Sequence, residues 1–359
     1  MKFSLSPQNI SQLNEIRHEV LIKHPGEKTP VKIILKETRN EEGLAVEYTM
    51  DVESVICLEE VCKVIPVTLY WNNIGEYQQY MLQEGTTLEK YEADLFEPED
   101  YKKLHAILMN GNSPFKDVYL EEVWNKTSIR ENDIDAISGA TILKLDDEDT
   151  ISGAALTCYT LWHWANGDVV SIIKNKTGRS ASIKQLKTFI LHKGETYFDI
   201  AIEALEEKNN YSTSIIDIVI ERVLKDDNLT KKAFLYIDKA NSQTYLQATS
   251  TLFLKGKKEV KLAAVLSLNR SEVQISKLYL DLLSKAITKL DSFQEVSAIL
   301  DLMENKNPSS PIVIANVIPL LDSDFLIARR SYWFLKNQNL TTNQKERISS
   351  FYKNNKHKL

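Results

Sequence analysis

The sequence predicts an α+β N-terminal domain, an antiparallel β-meander with flanking helices, followed by an all-α domain of the HEAT-like helical-repeat type. Three observations predict it. Alternating and β-branched runs fill residues 31–82, with short turn signals between them. From about residue 182 the chain becomes a series of helical patterns with short polar breaks. At 359 residues it also exceeds the size at which a single hydrophobic core usually stops growing. The border is expected near residue 172, giving domains 1–172 and 173–359.

Residues 8–24 place Ile10, Leu13, Ile16, Val20 and Leu21 at helical spacing, and Pro25-Gly26 ends that segment. The expected strands are Val31–Thr38, Leu44–Ile56, Lys63–Asn72 and Glu76–Leu82. Turn signals at Asn40–Gly43 and Asn72–Gly75 keep the connections short, which favours antiparallel pairing. A helix is expected over Pro98–Leu108, where Glu97, Glu99 and Asp100 complement the positive end of its dipole. Residues 115–134 have a mixed pattern. A further helix is expected over Ile151–Ala165, stopped by Asn166-Gly167.

The helical series runs Ser182–His192, Tyr197–Lys208, Thr213–Leu224, Lys231–Lys239, Tyr245–Leu254 and Val260–Leu268. It continues through Val273–Leu290, Phe293–Met303, Pro311–Leu321, Phe325–Leu335 and Asn343–Tyr352. Its clearest apolar stripe is Tyr279, Leu282, Leu283, Ala286, Ile287 and Leu290. Ser292 to Glu295 has the form of a capping box. Consecutive helices with short links suggest an α-solenoid, with an irregular bundle as the alternative because no strict period is visible.

Apolar and charged fractions of 43% and 26% are those of an ordinary globular protein. A net charge of −6 argues against nucleic acid as the main partner, since phosphate binding needs clustered Lys and Arg. The basic stretch Lys353–Lys358 reads as a solvated tail. No apolar run is long enough for a membrane span, and the start carries no apolar stretch of signal-peptide length. Both a cytosolic protein and an exported one whose signal has been removed fit this. Cys57 and Cys62 flank four residues in the strand-rich region, where they could be joined in a disulfide or remain two buried thiols. Cys158 stands far from both.

The segment that carries chemistry is Asp135-Ala-Ile-Ser138-Gly139-Ala140-Thr141. The pattern Asp-x-x-Ser/Thr-Gly-Ala-Thr fixes five positions, and average usage gives a chance match in about one chain in a thousand of this length. A Thr hydroxyl can accept a phosphoryl group, Gly139 and Ala140 let the backbone approach a phosphate closely, and Ser138 can donate a hydrogen bond to it. An ordinary turn of Asp, Ser and Gly is the competing reading.

The segment resembles the flavinylation motif of FMN-binding domains, found in the flavin subunits of the sodium-pumping NADH:quinone reductase and the Rnf complex. Thr68-Leu-Tyr-Trp71, Gly75-Glu-Tyr77, Glu99-Asp-Tyr101, Leu104-His105 and the stretch Gly153 to His163 are similar to segments of bacterial proteins with such domains. The resemblance covers about residues 45–170. It implies FMN held through a phosphoester on Thr141, installed from FAD by a flavin transferase with Mg²⁺, and Asp135 as part of the transferase recognition element. Leu143 stands where the family often has a hydroxyl residue. The resemblance also implies an extracytoplasmic location, periplasmic or at the cell surface.

Trp162, His163 and Trp164 close the helix after the motif. They could stack on a flavin ring or supply it a hydrogen bond, or they could pack the helix onto the sheet. His105 admits the same pair of readings. The acidic run Asp146, Asp147, Glu148 and Asp149 reads as a solvated loop. No dinucleotide, phosphate-loop, zinc-protease or nucleophile-elbow motif is present. The expected function is therefore an electron carrier with covalent FMN whose helical domain docks a redox or membrane protein partner. The alternatives are a protein-binding scaffold without flavin and, less favoured, a flavin enzyme acting on a small molecule.

Overall fold

The computed structural model describes residues 14–56, 63–90, 93–120, 122–123 and 148–359. The motif residues Asp135, Ser138, Gly139, Ala140 and Thr141, with Leu143, Asp146, Asp147, Cys57 and Cys62, lie outside the described residues. The chain divides into two compact units at Leu186/Lys187. The architecture is α+β followed by all-α.

In the first unit five strands form one antiparallel sheet in sequence order: β1 (Asn14–Ile22), β2 (Val31–Arg39), β3 (Ala45–Glu53), β4 (Pro66–Asn72) and β5 (Tyr77–Leu82). Strands β2 to β5 are the expected meander. Strand β1 corrects the helix expected over residues 8–24. Ile16, Val20 and Leu21 fit helical spacing, but Ile16, His18, Val20 and Ile22 also alternate, and β2 offers an unbroken ladder from Asn14↔Arg39 to Ile22↔Val31. In the strand the alternating set turns inward and Leu21 is exposed. Tertiary pairing decided between two periods that the local sequence left competing.

One face of the sheet is apolar, with Leu35, Tyr48, Met50, Val67, Leu69 and Trp71 all buried. It is covered by α1 (Pro98–Met109), α2 (Ala155–Asn166) and α3 (Asp168–Ser180). The expected border at residue 172 falls inside α3, a helix the sequence reading omitted. Its stripe Val169, Ile173 and Thr177 is buried, and the Tyr48 hydroxyl donates to Thr177 Oγ1 (3.1 Å), which donates to the Asn73 carbonyl (2.7 Å). Stop signals at Asn166-Gly167 do end α2, but α3 starts at the next residue.

Two carboxylates of β2 and β3 mark the contrast between the faces. On the outer face Asp51 accepts from Lys36 (2.8 Å) and Thr68 (2.6 Å), which holds its carboxyl below the usual range. On the inner face Glu37 is fully buried, bridging His18 Nε2 and Arg39 Nε, each at 2.6 Å. A buried carboxylate survives because both oxygens are paired.

The β4–β5 turn bears on α3 directly. Asn72 Oδ1 accepts from the Ile74 and Glu76 amides (3.1 and 2.9 Å), and Gly75 adopts φ +80°. A Cβ there would lie 3.0 Å from both the Val170 carbonyl oxygen and Cγ1. Gly75→Ala is therefore expected to cost about 1–3 kcal/mol through strain and crowding. Chemical denaturation checks this, and an unchanged midpoint would contradict it.

The second unit is a stack of helices in two rows. One row is α5 (Glu195–Glu207), α7 (Thr230–Ile237), α9 (Lys258–Arg270), α11 (Phe293–Lys306) and α13 (Phe325–Lys336). The other contains α6 (Thr213–Lys225), α8 (Ser242–Lys255), α10 (Lys277–Ser284) and α12 (Pro311–Val317); α4 (Ile183–Leu191) precedes the rows and α14 (Thr342–Asn355) follows them. Alternate helices touch along each row, as a stacked helical repeat requires. Ion pairs join neighbours in the first row: Lys232–Asp199, Lys261–Glu295, and Arg330 with both Asp301 and Glu304. In the second row Tyr279 of α10 donates to the Leu246 carbonyl of α8 (2.9 Å).

Two local expectations change. The helix expected over Val273–Leu290 is α10 followed by a 3₁₀ turn at Ile287–Lys289, and its buried residues are Leu280, Leu283, Ser284, Ile287 and Leu290. Leu282 points outward, 53% exposed, because the buried face runs through Leu280, Leu283, Ser284 and Ile287, off the face that carries Leu282. At Ser292 the side chain caps the Glu295 amide (3.3 Å), while its own hydroxyl donates to the Glu295 carboxylate (2.7 Å). Glu295 thus closes the cap through the hydroxyl, leaving its other oxygen for Lys261.

Candidate functional site

Helix α2 is buried on every side: each residue from Leu156 to Ala165 is inaccessible to solvent or nearly so. Such a helix is a core element, and its polar groups need internal partners. Trp71 Nε1 of β4 donates to the Ala165 carbonyl (2.7 Å), and Trp162 Nε1 donates to the Asn110 carbonyl (2.9 Å). Asn166 Nδ2 donates to the Leu108 carbonyl (3.0 Å). These bonds fix the C-terminal half of α2 between the sheet and the end of α1.

Against that half lies a cavity of about 680 Å³, a size typical of small-molecule sites. Trp162 and His163 of α2 line it, together with Asn166, Gly167 and Asp168. The loop between β1 and β2 supplies Lys23, His24, Pro25, Glu27, Lys28, Thr29 and Pro30, and the segment after α1 supplies Gly111 and Lys116. Gly167 is required by packing, since a Cβ there would lie 2.4 Å from the His163 carbonyl oxygen.

The lining pairs a neutral floor with a charged rim. His24 is buried with Nδ1 accepting from the Gly26 amide (3.0 Å) and Nε2 facing the Thr160 carbonyl (3.0 Å). An amide can only donate and a carbonyl can only accept, so His24 is the neutral tautomer protonated on Nε2. Its ring lies 4.4 Å from Trp164 and 5.7 Å from His163, centroid to centroid. Burial lowers the pKa of His24 to about 4. Burial, then the proximity of His24, lowers His163 to about 4 against a raising hydrogen bond with the Phe115 backbone.

That Phe115 bond stabilises a ring N–H and leaves the other nitrogen as an acceptor. His163 Nε2 is buried with no hydrogen-bond partner among the described residues, and the same holds for Trp164 Nε1. Leaving such a group unpaired costs about 1–3 kcal/mol. On the rim, Lys23, Lys28 and Lys116 are exposed and make no ion pair among the described residues. Glu27 and Asp168 supply opposing charge, with Asp168 accepting from the Lys23 backbone amide (3.1 Å).

The structure thus brings Trp162 and His163 to one wall, both more than nine-tenths buried. Trp164, 4% exposed, faces the His24 ring behind them. His105 lies elsewhere, on α1, 3.2 Å from the Tyr77 hydroxyl. Glu148 and Asp149 belong to no metal-holding group among the described residues. Cys158 is buried and unbridged, with burial pushing its thiol up to about 11. Sequence reasoning missed His24 and the three lysines. The one local signal was a histidine immediately before Pro25-Gly26, where a side chain can close the turn.

No protein-family model, curated protein or solved structure matches this chain. No helix among the described residues is long and apolar enough to cross a membrane.

Proposed function

We propose that the protein is an electron carrier with FMN bound through a phosphoester to Thr141, and that its helical unit docks a redox partner outside the cytoplasm. The observation that carries the proposal is the segment Asp135–Thr141 itself. When bound, the flavin would supply one- and two-electron redox chemistry, while the protein supplies position and electrostatic environment.

The described residues fit such a group through the size and the aromatic wall of one cavity. The wall formed by Trp162 and His163 borders a cavity of about 680 Å³, enough volume for a planar tricyclic ring. Helix α2, which carries both side chains, begins at Ala155, fourteen positions after Thr141. Asp135, Ser138, Gly139 and Ala140 are assigned to transferase recognition and to the phosphate end.

A protein-binding scaffold without flavin is the second reading. It is favoured by exposed apolar side chains on both rows of the helical stack, among them Leu254 on α8, Leu278 and Leu282 on α10, Leu235 on α7 and Leu326 on α13. Co-production with a flavin transferase and Mg²⁺, followed by in-gel fluorescence after denaturation, separates the two. Fluorescence that survives denaturation is the expected result, and a colourless chain would favour the scaffold.

A further inference from the structure

Charge is unevenly spread along this chain. Its net charge is −6, yet residues 325–359 carry eight Lys or Arg and a single acidic residue, Glu346. This stretch holds α13 and α14. Two of its cations are spent on acidic partners: Arg330 pairs with Asp301 and Glu304, and Arg347 with Asp322. The other six, Arg329, Lys336, Lys345, Lys353, Lys356 and Lys358, make no ion pair among the described residues.

Aromatic and apolar side chains are interleaved with them. Leu326, Arg329, Trp333 and Lys336 share one stripe of α13, with Leu326 51% and Trp333 42% exposed. The Lys336 ammonium lies 4.7 Å from the Trp333 ring centroid. Tyr352 of α14, also exposed, stacks on Tyr332 at 6.2 Å, and Tyr332 meets Trp333 at 5.2 Å. Arg329 and Lys358 both lie over the Phe325 ring, at 5.7 and 5.9 Å. Lys345 and Lys356 follow the stripe of α14 that carries Tyr352. The segment after α14 therefore turns back onto α13, and its charge joins one patch.

The make-up of the patch selects its occupant. Protein interfaces are enriched in Arg and depleted in Lys, whereas five of the six unpaired cations are Lys. Lysine carries a point charge on a flexible stem, which suits a diffuse field of anionic headgroups. Trp and Tyr settle at the boundary between headgroups and acyl chains, and Leu326 adds apolar area beside them. Single-stranded nucleic acid needs free ring faces for stacking, but Lys336 and Tyr332 each cover one face of Trp333 and Tyr352 respectively.

We infer that α13 and α14 form a docking face for an anionic lipid bilayer, with Leu326, Trp333 and Tyr352 at the headgroup level and the lysines on lipid phosphates. Attachment is peripheral and does not depend on flavin at Thr141.

Co-sedimentation of the full chain with vesicles tests the inference, using equimolar phosphatidylglycerol and phosphatidylcholine against phosphatidylcholine alone. Binding to the anionic vesicles at low salt, weakening as salt rises, is expected. The same vesicles should shift tryptophan emission to the blue, and Trp333→Phe should abolish that shift. The triple variant Lys336→Glu, Lys353→Glu, Lys356→Glu changes exposed side chains and should weaken binding about a hundredfold, at about fivefold per charge. A denaturation midpoint equal to that of the wild type shows its fold intact; if it does not fold, the salt dependence and the Trp333 signal decide. No binding at low salt, equal binding to phosphatidylcholine alone, or a folded triple variant that binds as tightly as the wild type would overturn the inference. So would a blue shift that survives Trp333→Phe. Tighter binding to polyglutamate or to single-stranded DNA than to the anionic vesicles would also overturn it, and would assign the face to an acidic protein or to nucleic acid.

Discussion

Replacing Thr141 with alanine is expected to remove all covalently held flavin, leaving a chain without in-gel fluorescence after denaturation. A phosphoester needs a hydroxyl oxygen, and alanine has none. Thr141→Ser keeps the hydroxyl and should retain part of the modification, which separates the chemical requirement from recognition of the threonine methyl group. Ser138→Ala leaves the acceptor in place but removes the hydroxyl that the proposal assigns to the phosphate, so reduced rather than absent modification is expected. Covalent flavin persisting in Thr141→Ala would remove Thr141 from its assigned role.

Acidification should destabilise the first unit well before most carboxylates titrate. His24 and His163 are both held near pKa 4 by burial, against an ordinary value of 6.5. Above pH 6.5 neither the folded nor the unfolded chain protonates these groups, so their contribution is fully present there. As the pH falls from 6.5 toward 4, the unfolded chain takes up protons that the folded chain refuses, and stability drops. Each histidine can account for up to about 3 kcal/mol over this window. Protonation of His24 on Nδ1 would also set two donors against each other, its new N–H and the Gly26 amide. The urea midpoint at pH 7 and at pH 4.5, followed by tryptophan emission, measures the effect. The double variant His24→Gln, His163→Gln should flatten the profile between these values. A wild-type midpoint that does not change across the window would contradict the account.

The meander and the helical series were legible because each rests on a local period. Strands β2 to β5 alternate and are separated by Asn- and Gly-bearing turns, and most helices carry one apolar stripe ending at a polar break. What was not legible depended on partners distant in sequence. Residues 14–22 satisfy both a helical and an alternating pattern, and the β2 ladder chose the strand. Helix α3 was hidden behind a genuine stop signal at Gly167, although its Thr177 is tied to Tyr48 and Asn73.

The candidate site divides the same way. Trp162 and His163 could be singled out from their place after the motif, but their shared cavity could not. Its opposite wall comes from the β1–β2 loop, more than a hundred residues earlier, and His24 reaches across to Thr160. Lys23, Lys28 and Lys116 lack any shared local pattern, so only the fold collects them at one rim.

The central claim concerns Thr141, and intact-mass spectrometry of the protein from its natural host tests it most directly. The account predicts a mass raised by one phosphoester-linked FMN, with the addition localised by peptide mapping to the segment containing Asp135–Thr141. The same spectrum, taken before and after reduction and alkylation, reports whether Cys57 and Cys62 are joined. A native chain whose mass carries no flavin, or carries it on a residue other than Thr141, would contradict the account.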